Sequence, residues 1–294
     1  MTREEVERAI RDGIRYLKQA QREDGSWEEM NMQARTGTTS LITLALLTAG
    51  EKPEEPHIRK ALEHLRRFGP EDLRSTYAIA LQTMVFAAAD PERDQLRIAA
   101  NVSWLEGAQL KPGSRLAGCW TYSETPAGGD NSNTQYALLG LNAAAEAGVP
   151  VKPEVWALAR LYWERAQRRD GGWGYHAGDQ ISTASMTCAG ISSLVITGSK
   201  RFQGQEYLQG GLIHNCGQVG VNRNLQGAWT GWRPTSAWAR TSPWASSGSS
   251  IISTAWSGPA GSPASASSAS TTGTDSVPTS WSRPRTGSPA SGGA

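Results

Sequence analysis

Two kinds of helix pattern alternate along the first two hundred residues, and that alternation leaves few architectures open. Residues 4–20 carry Val6, Ile10, Ile14 and Leu17 at intervals of three or four, with charge between them, as an amphipathic helix requires. Residues 38–49 are apolar or small on every side, so that helix is expected to be buried all round, and Gly50 closes it. The half-exposed type returns at 57–68, from Asp90-Pro91 to about Leu110, and at 153–168. The small-residue type returns at 73–89, 132–147 and 182–197. The apolar segments recur at roughly 40–60 residues, the period of a helical repeat array. No sustained period-two alternation occurs, so the expected fold is all-α.

A seven-residue element sits where the chain passes from one helix type to the other. Gln21-Arg-Glu-Asp24-Gly25-Ser-Trp27 returns as Gln167-Arg-Arg-Asp170-Gly171-Gly-Trp173. Each part has a structural use. Glycine tolerates the left-handed turn, the glutamine amide can satisfy backbone groups at the corner, and the indole is a large apolar plug. Gln21, Asp24, Gly25, Trp27, Gln167, Asp170, Gly171 and Trp173 are therefore read as structural corner residues.

Composition changes abruptly near residue 226. No Leu, Lys, Glu, Phe, Tyr, Met or Cys follows Gln226, whereas half of the 12 tryptophans do. Residues 227–294 are rich in Ser, Gly, Ala, Thr and Pro, the composition of a low-complexity, disordered tail. Tryptophan does not fit that description, and an out-of-frame translation does. Read one base earlier, the codons of residues 246–262 permit KQWLFYHLYGLERAGRL, which resembles a buried helix. Those of residues 271–293 permit HDWYRLGADELVPAQDRLTGFWR, an amphipathic helix that runs into another Gln-Asp-x-x-x-Gly-x-Trp corner. The expected organisation is a truncated repeat domain over 1–226 followed by a tail over 227–294 that is disordered or out of frame.

A net charge of +2 builds no field for nucleic acid or an anionic membrane. No apolar run approaches the ~18 residues of a membrane span. The first residues open directly into a charged helix without an apolar signal core, so the expected compartment is left unknown. Cytoplasm is the default, and export stays open if a signal precedes this sequence. Cys119, Cys188 and Cys216 are too few and too scattered for a disulfide scaffold or a paired zinc motif.

The corner element resembles the repeat motif of the squalene cyclase and protein prenyltransferase superfamily, and the helices after each copy are similar to that family's inner helices. The resemblance covers about residues 4–226 and is closest to bacterial members with no assigned reaction. It implies an α/α toroid in which inner helices form a barrel, outer helices surround it, and the inner ends frame a central cavity. The ring is expected to be incomplete at its C-terminal end.

The family's chemistry is only partly present. A cyclase of this kind protonates an alkene with an Asp-x-Asp-Asp cluster, and this sequence contains none. Gln180-Ile-Ser-Thr-Ala-Ser185 stands in the matching stretch, and hydroxyls cannot supply that acidity. Prenyltransferases hold zinc with Asp, Cys and His. Asp179, His176 and Cys188 offer those types, but not at the family's spacing. Barrel enzymes acting on polysaccharides need paired carboxylates, for which Glu124, Asp130 and Asp179 are the candidates, with Trp120, Tyr122 and Tyr175 as stacking surfaces.

The expectation is a non-catalytic domain that binds a small molecule or a protein partner through its cavity and loops, with no cofactor and no metal. An isoprenoid-handling or carbohydrate-active enzyme is the alternative. Trp120, Tyr122, Asp130, Asn131, Tyr175, His176 and Cys188 are the candidate ligand-binding residues. Against that, Asp130 and Asn131 could simply cap the next helix. His57 and His64 share one face of a charged helix and read as solvated surface.

Overall fold

The structure, a computed structural model, describes residues 2–29, 35–123, 129–202, 207–209, 212–214 and 222–231. The chain divides into two compact units after Ser242, and every described residue lies before that point. The expected tail therefore lies, from residue 232 onward, outside the described residues.

Helix α1 (Arg3–Gln19) opens with a capping box: the Glu5 amide donates to Thr2 Oγ1 at 3.2 Å and the Thr2 amide to Glu5 Oε2 at 2.7 Å. It then alternates with the apolar helices as the pattern requires. The small-residue helices are α2 (Gly37–Thr48), α5 (Thr76–Ala89), α7 (Asn131–Glu146) and α9 (Ala184–Phe202). The others are α3 (Pro56–Leu65), the single turn α4 (Pro70–Leu73), α6 (Gln95–Ala108), α8 (Pro153–Ala166) and α10 (Arg223–Gly231). Helix α5 packs against α2 and α7, and α7 against α9, so the small-residue helices form one continuous row. The amphipathic helices lie against that row, α3 on α2, α6 on α5 and α7, α8 on α9, and α10 on α9. Small side chains permit the close approach. A Cβ on Gly140 of α7 would come within 2.9 Å of the Ala80 α-carbon of α5.

Three features differ from the sequence reading. Helix α1 buries no residue completely, with Ile14 and Leu17 only partly buried against the core. The sixth helix starts after Asp94 rather than at Asp90, because residues 90–94 form turns. A two-stranded hairpin, β1 (Tyr207–Gln209) with β2 (Leu212–His214), follows α9. Three-residue strands are too short to show alternation.

The corner element is built the same way at both places where the sequence repeats it. Gln21 Nε2 donates to the carbonyls of Gly25 (3.0 Å) and of His57 (2.8 Å) in the first turn of α3. Gln167 Nε2 donates to those of Gly171 (2.8 Å) and of Asn224 (2.7 Å) in the first turn of α10. The Trp27 indole donates to the Leu17 carbonyl at 2.8 Å and the Trp173 indole to that of Trp163 at 3.0 Å, which ties each corner to the preceding helix. The Trp27 and Trp173 amides donate to Thr39 and Thr187 on the next small-residue helix. One residue pair therefore fastens three helices. Gly25 and Gly171 take φ of +88° and +83°. A Cβ on either would run into the backbone of the following amphipathic helix, at Lys60 or Gly227.

A third copy is present that the sequence reading did not find. Gln109 Nε2 donates to the Gly118 carbonyl (3.1 Å) and to the Val155 carbonyl (3.0 Å) in α8. The Trp120 amide donates to Thr134 Oγ1 and its indole to the Leu105 carbonyl at 2.7 Å. Gly118, at φ +99°, lies against the backbone of Leu158. Here Gly118 follows Gln109 by nine positions, where Gly25 follows Gln21 by four, so the loop between them is longer. Between α3 and α6 a different device does the same work: Arg66, at the end of α3, forks onto the fully buried carboxylate of Asp94, with Nη2–Oδ2 at 2.6 Å and Nε–Oδ1 at 2.9 Å.

Asp24 gives the corner a pH dependence. Its carboxylate accepts from Ser26 Oγ (2.7 Å) and the Ser26 amide (3.0 Å), and these bonds, with His64 and Arg67 nearby, hold its pKa below the ordinary 3.8. The stabilisation is present above the unfolded pKa and is lost as pH falls through the lower folded one. Thermal melts between about pH 5 and pH 2 are expected to show a shallower acid decline for Asp24→Asn, which keeps an acceptor but has no charge to lose.

Candidate functional site

The small-residue row keeps a partly accessible surface. On α5 it includes the half-buried Tyr77 and Met84 and the exposed Ala88; on α7 the half-buried Ser132, Gln135, Tyr136 and Leu139; on α9 the exposed Ser185, Cys188 and Val195. Toward the N-terminal ends of α5 and α7 this surface becomes aromatic. Tyr77 donates to Ser132 Oγ at 2.6 Å, which joins the two helices. Its ring meets Tyr136 edge-on at 4.8 Å and Tyr122 at 5.8 Å. Edge-to-face and tilted pairs at these separations are favourable aromatic geometries.

Tyr122 and Tyr175 are equivalents in two successive repeats. Each is the second residue after a corner tryptophan, and each places its carbonyl on the first amide of the preceding small-residue helix: Thr76 N to Tyr122 O at 3.1 Å, and Asn131 N to Tyr175 O at 2.8 Å. The loop is clamped once more in each case, by Thr76 Oγ1 on the Thr121 carbonyl and by Asn131 Nδ2 on the Gly174 carbonyl. Fixed backbones thus carry exposed rings, with Tyr122 60% and Tyr175 47% accessible. Burial above all, with the nearby Asp130 charge, raises the pKa of Tyr77 and of Tyr122 above the ordinary phenol value. Both stay neutral at physiological pH, as hydrogen-bonding and stacking groups rather than bases.

Of the other expected ligand-binding residues, several are structural. Trp120 is fully buried and belongs to the third corner. Asp130 is spent on α7: its two oxygens accept from the Asn133 amide and side chain, both at 2.6 Å. Asn131 is fully buried, accepts from the Tyr162 hydroxyl at 2.7 Å and holds the Gly174 carbonyl. His176 is exposed: its amide donates to Asp179 Oδ2 at 2.8 Å and its Nδ1 faces the Gly129 carbonyl at 3.3 Å. Cys188 is exposed on α9, whereas Cys119 is buried, and burial pushes that thiol up to about 12. Glu124 and Cys216 lie outside the described residues.

Among the described residues, the group whose ligand atoms converge as a metal would need is Glu51, Glu55 and His57, rather than His176, Asp179 and Cys188. Two of its members are already paired: Glu51 Oε2 lies 2.6 Å from Lys18 Nζ and 2.8 Å from His57 Nε2. His57 and His64 are therefore not solvated surface, and each side chain is only 12% exposed. His64 approaches Asp24, and the His57 carbonyl is the corner acceptor for Gln21. Tyr77, Tyr136 and Ser132 were missed as site residues because each sits singly in a small-residue helix, and only the turn of the helix brings them together.

Among the described residues no helix is long and apolar enough to cross a membrane. Comparisons with protein-family models, curated proteins and solved structures find no match.

Proposed function

We propose that residues 1–226 form part of an α/α toroid of the squalene cyclase and prenyltransferase type. In this reading the row α2–α5–α7–α9 is the inner wall, and the domain binds a ligand across its tyrosine surface without catalysing a reaction. The toroid is supported by the corner geometry, in which glutamine, glycine and tryptophan fasten α1 to α3, α6 to α8 and α8 to α10. The observation that carries the binding function is the tyrosine cluster: Tyr77 in ring contact with both Tyr122 and Tyr136, with Tyr175 repeating the position of Tyr122.

The chemistry present favours recognition over reaction. Four phenols and the Ser132 hydroxyl offer stacking faces and neutral hydrogen bonds, and Asp130, the buried carboxylate beside them, is occupied in capping a helix. A neutral ligand with both hydroxyl and apolar faces, such as an oligosaccharide, suits that surface better than an isoprenoid diphosphate. Titrating ring-labelled tyrosines in the full chain with maltohexaose tests this, with farnesyl diphosphate as the contrasting probe. The expected result is movement of the Tyr77, Tyr122 and Tyr136 resonances with the sugar, and roughly tenfold weaker binding for Tyr122→Ala, in line with the ~1.4 kcal/mol that one exposed ring can contribute. No movement with either probe contradicts the reading.

A further inference from the structure

Helix α10 begins as though the array continued. The corner glutamines 21, 109 and 167 reach the carbonyls of His57, Val155 and Asn224, each in the first turn of the next amphipathic helix. Three residues beyond each acceptor stands the backbone that the corner glycine approaches: Lys60, Leu158 and Gly227. The next residue is a buried alanine in every case: Ala61, Ala159 and Ala228. The plan also holds at the helix start. Glu106 accepts from the Lys152 amide at 2.8 Å, and Glu164 accepts from the Asn222 side chain at 3.1 Å. So α10 is in register as a further outer helix, and in the two preceding repeats such a helix is followed by an inner one.

Among the described residues the row is also open on that side. Its interior members, α5 and α7, expose no large aliphatic side chain, whereas the terminal members do: Leu41 on α2 and Val195 on α9, at 47% and 42%. Beside Val195, Ile191 and Ile196 are only partly buried against the core.

A shifted reading of the tail permits an occupant. Tryptophan has a single codon, TGG, and a triplet read one base earlier across it ends in TG, which encodes only Leu, Met or Val. Trp229, Trp232, Trp238, Trp244, Trp256 and Trp281 therefore all become aliphatic in that frame. This accounts at once for a tail rich in tryptophan and devoid of leucine. Positions 225, 229, 232 and 236 then carry or permit apolar residues at the spacing of an amphipathic helix.

We propose that the open flank of α9, together with α10, seats an inner helix encoded by residues 246–262 read one base earlier, the frame changing just after Ala228, so that the register of α10 is that of the printed chain. It rests on the toroid reading above and extends it. A helix such as the permitted KQWLFYHLYGLERAGRL would lay its apolar side on Ile191 and Val195, away from Ser192, which faces Gln135 of α7. The run at the codons of residues 271–293 would then form the next outer helix and corner.

Two measurements test this. The gene sequence is expected to leave the earlier frame open from codon 229 through codon 293. A stop codon there, which shifted Ser and Asp codons readily produce, overturns the proposal. The 294-residue chain and a chain restored to the earlier frame after codon 228 are then compared by hydrogen exchange. Amides of residues 191–197 are expected to exchange at least about tenfold more slowly in the restored chain. Equal protection in the two chains, or a restored chain that does not fold, overturns the docking of this helix. Neither outcome bears on the tyrosine titration, so the two readings fail separately.

Discussion

Trp120→Ala is expected to cost about 3–5 kcal/mol of unfolding free energy, the usual penalty for emptying a fully buried indole site. The side chain has no solvent exposure, fills the core beneath the third corner and satisfies the Leu105 carbonyl. Its removal leaves a cavity and a lost bond at once. Tyr122→Ala, two residues on, removes a ring that is 60% exposed and is expected to stay within about 1 kcal/mol of the parent. Denaturant melts of the two variants separate structure from recognition. A large loss for Tyr122→Ala with a small one for Trp120→Ala would invert the assignment of these neighbours.

The second large effect is expected at the corner without tryptophan. Asp94 is fully buried and faces Arg66 through two short bonds, with Arg97 a third contact at 3.3 Å. Asp94→Ala leaves the guanidinium of Arg66, itself only 10% exposed, without its partner. Breaking a buried pair on one side costs about 3–5 kcal/mol, because the remaining charge stays desolvated. The double variant Arg66→Met with Asp94→Leu is expected to recover much of that loss, since apolar groups of similar volume often replace such pairs at little cost. Equal destabilisation of the single and double variants would show that the pair matters for a reason other than its charge.

The helical order was legible because burial on all sides and burial on one side leave different patterns. Residues 38–49 and 132–147 became α2 and α7 with shifts of about a residue. The corners at Trp27 and Trp173 were legible because their spacing is identical. The corner at Trp120 was hidden by a longer loop between Gln109 and Gly118, and the isolated Trp120 then looked like a stacking surface. A search for Gly-x-Trp alone, with glutamine anywhere upstream, would have found it. The Arg66–Asp94 corner shares no letter with the others and was beyond any pattern. Tyr122 and Tyr175 were recognised as exposed aromatic residues, but the contact of Tyr122 with Tyr77, and of Tyr77 with Tyr136, depends on how α5 and α7 are rotated in the row, which no local spacing encodes.

The central claim is that the three corners with tryptophan fasten successive amphipathic helices through their glutamines, across long stretches of sequence. Gln109 reaches Val155 over 46 positions, and Gly118 lies on the same helix at Leu158. Hydrogen exchange of the Gln109→Leu variant, in the full chain, is the direct measurement. Amides in the first turns of α8 are expected to exchange faster together with those of residues 109–120, while the first turns of α3 and α10, held by Gln21 and Gln167, stay as they were. Faster exchange confined to residues 109–120, with α8 unchanged, would contradict the account.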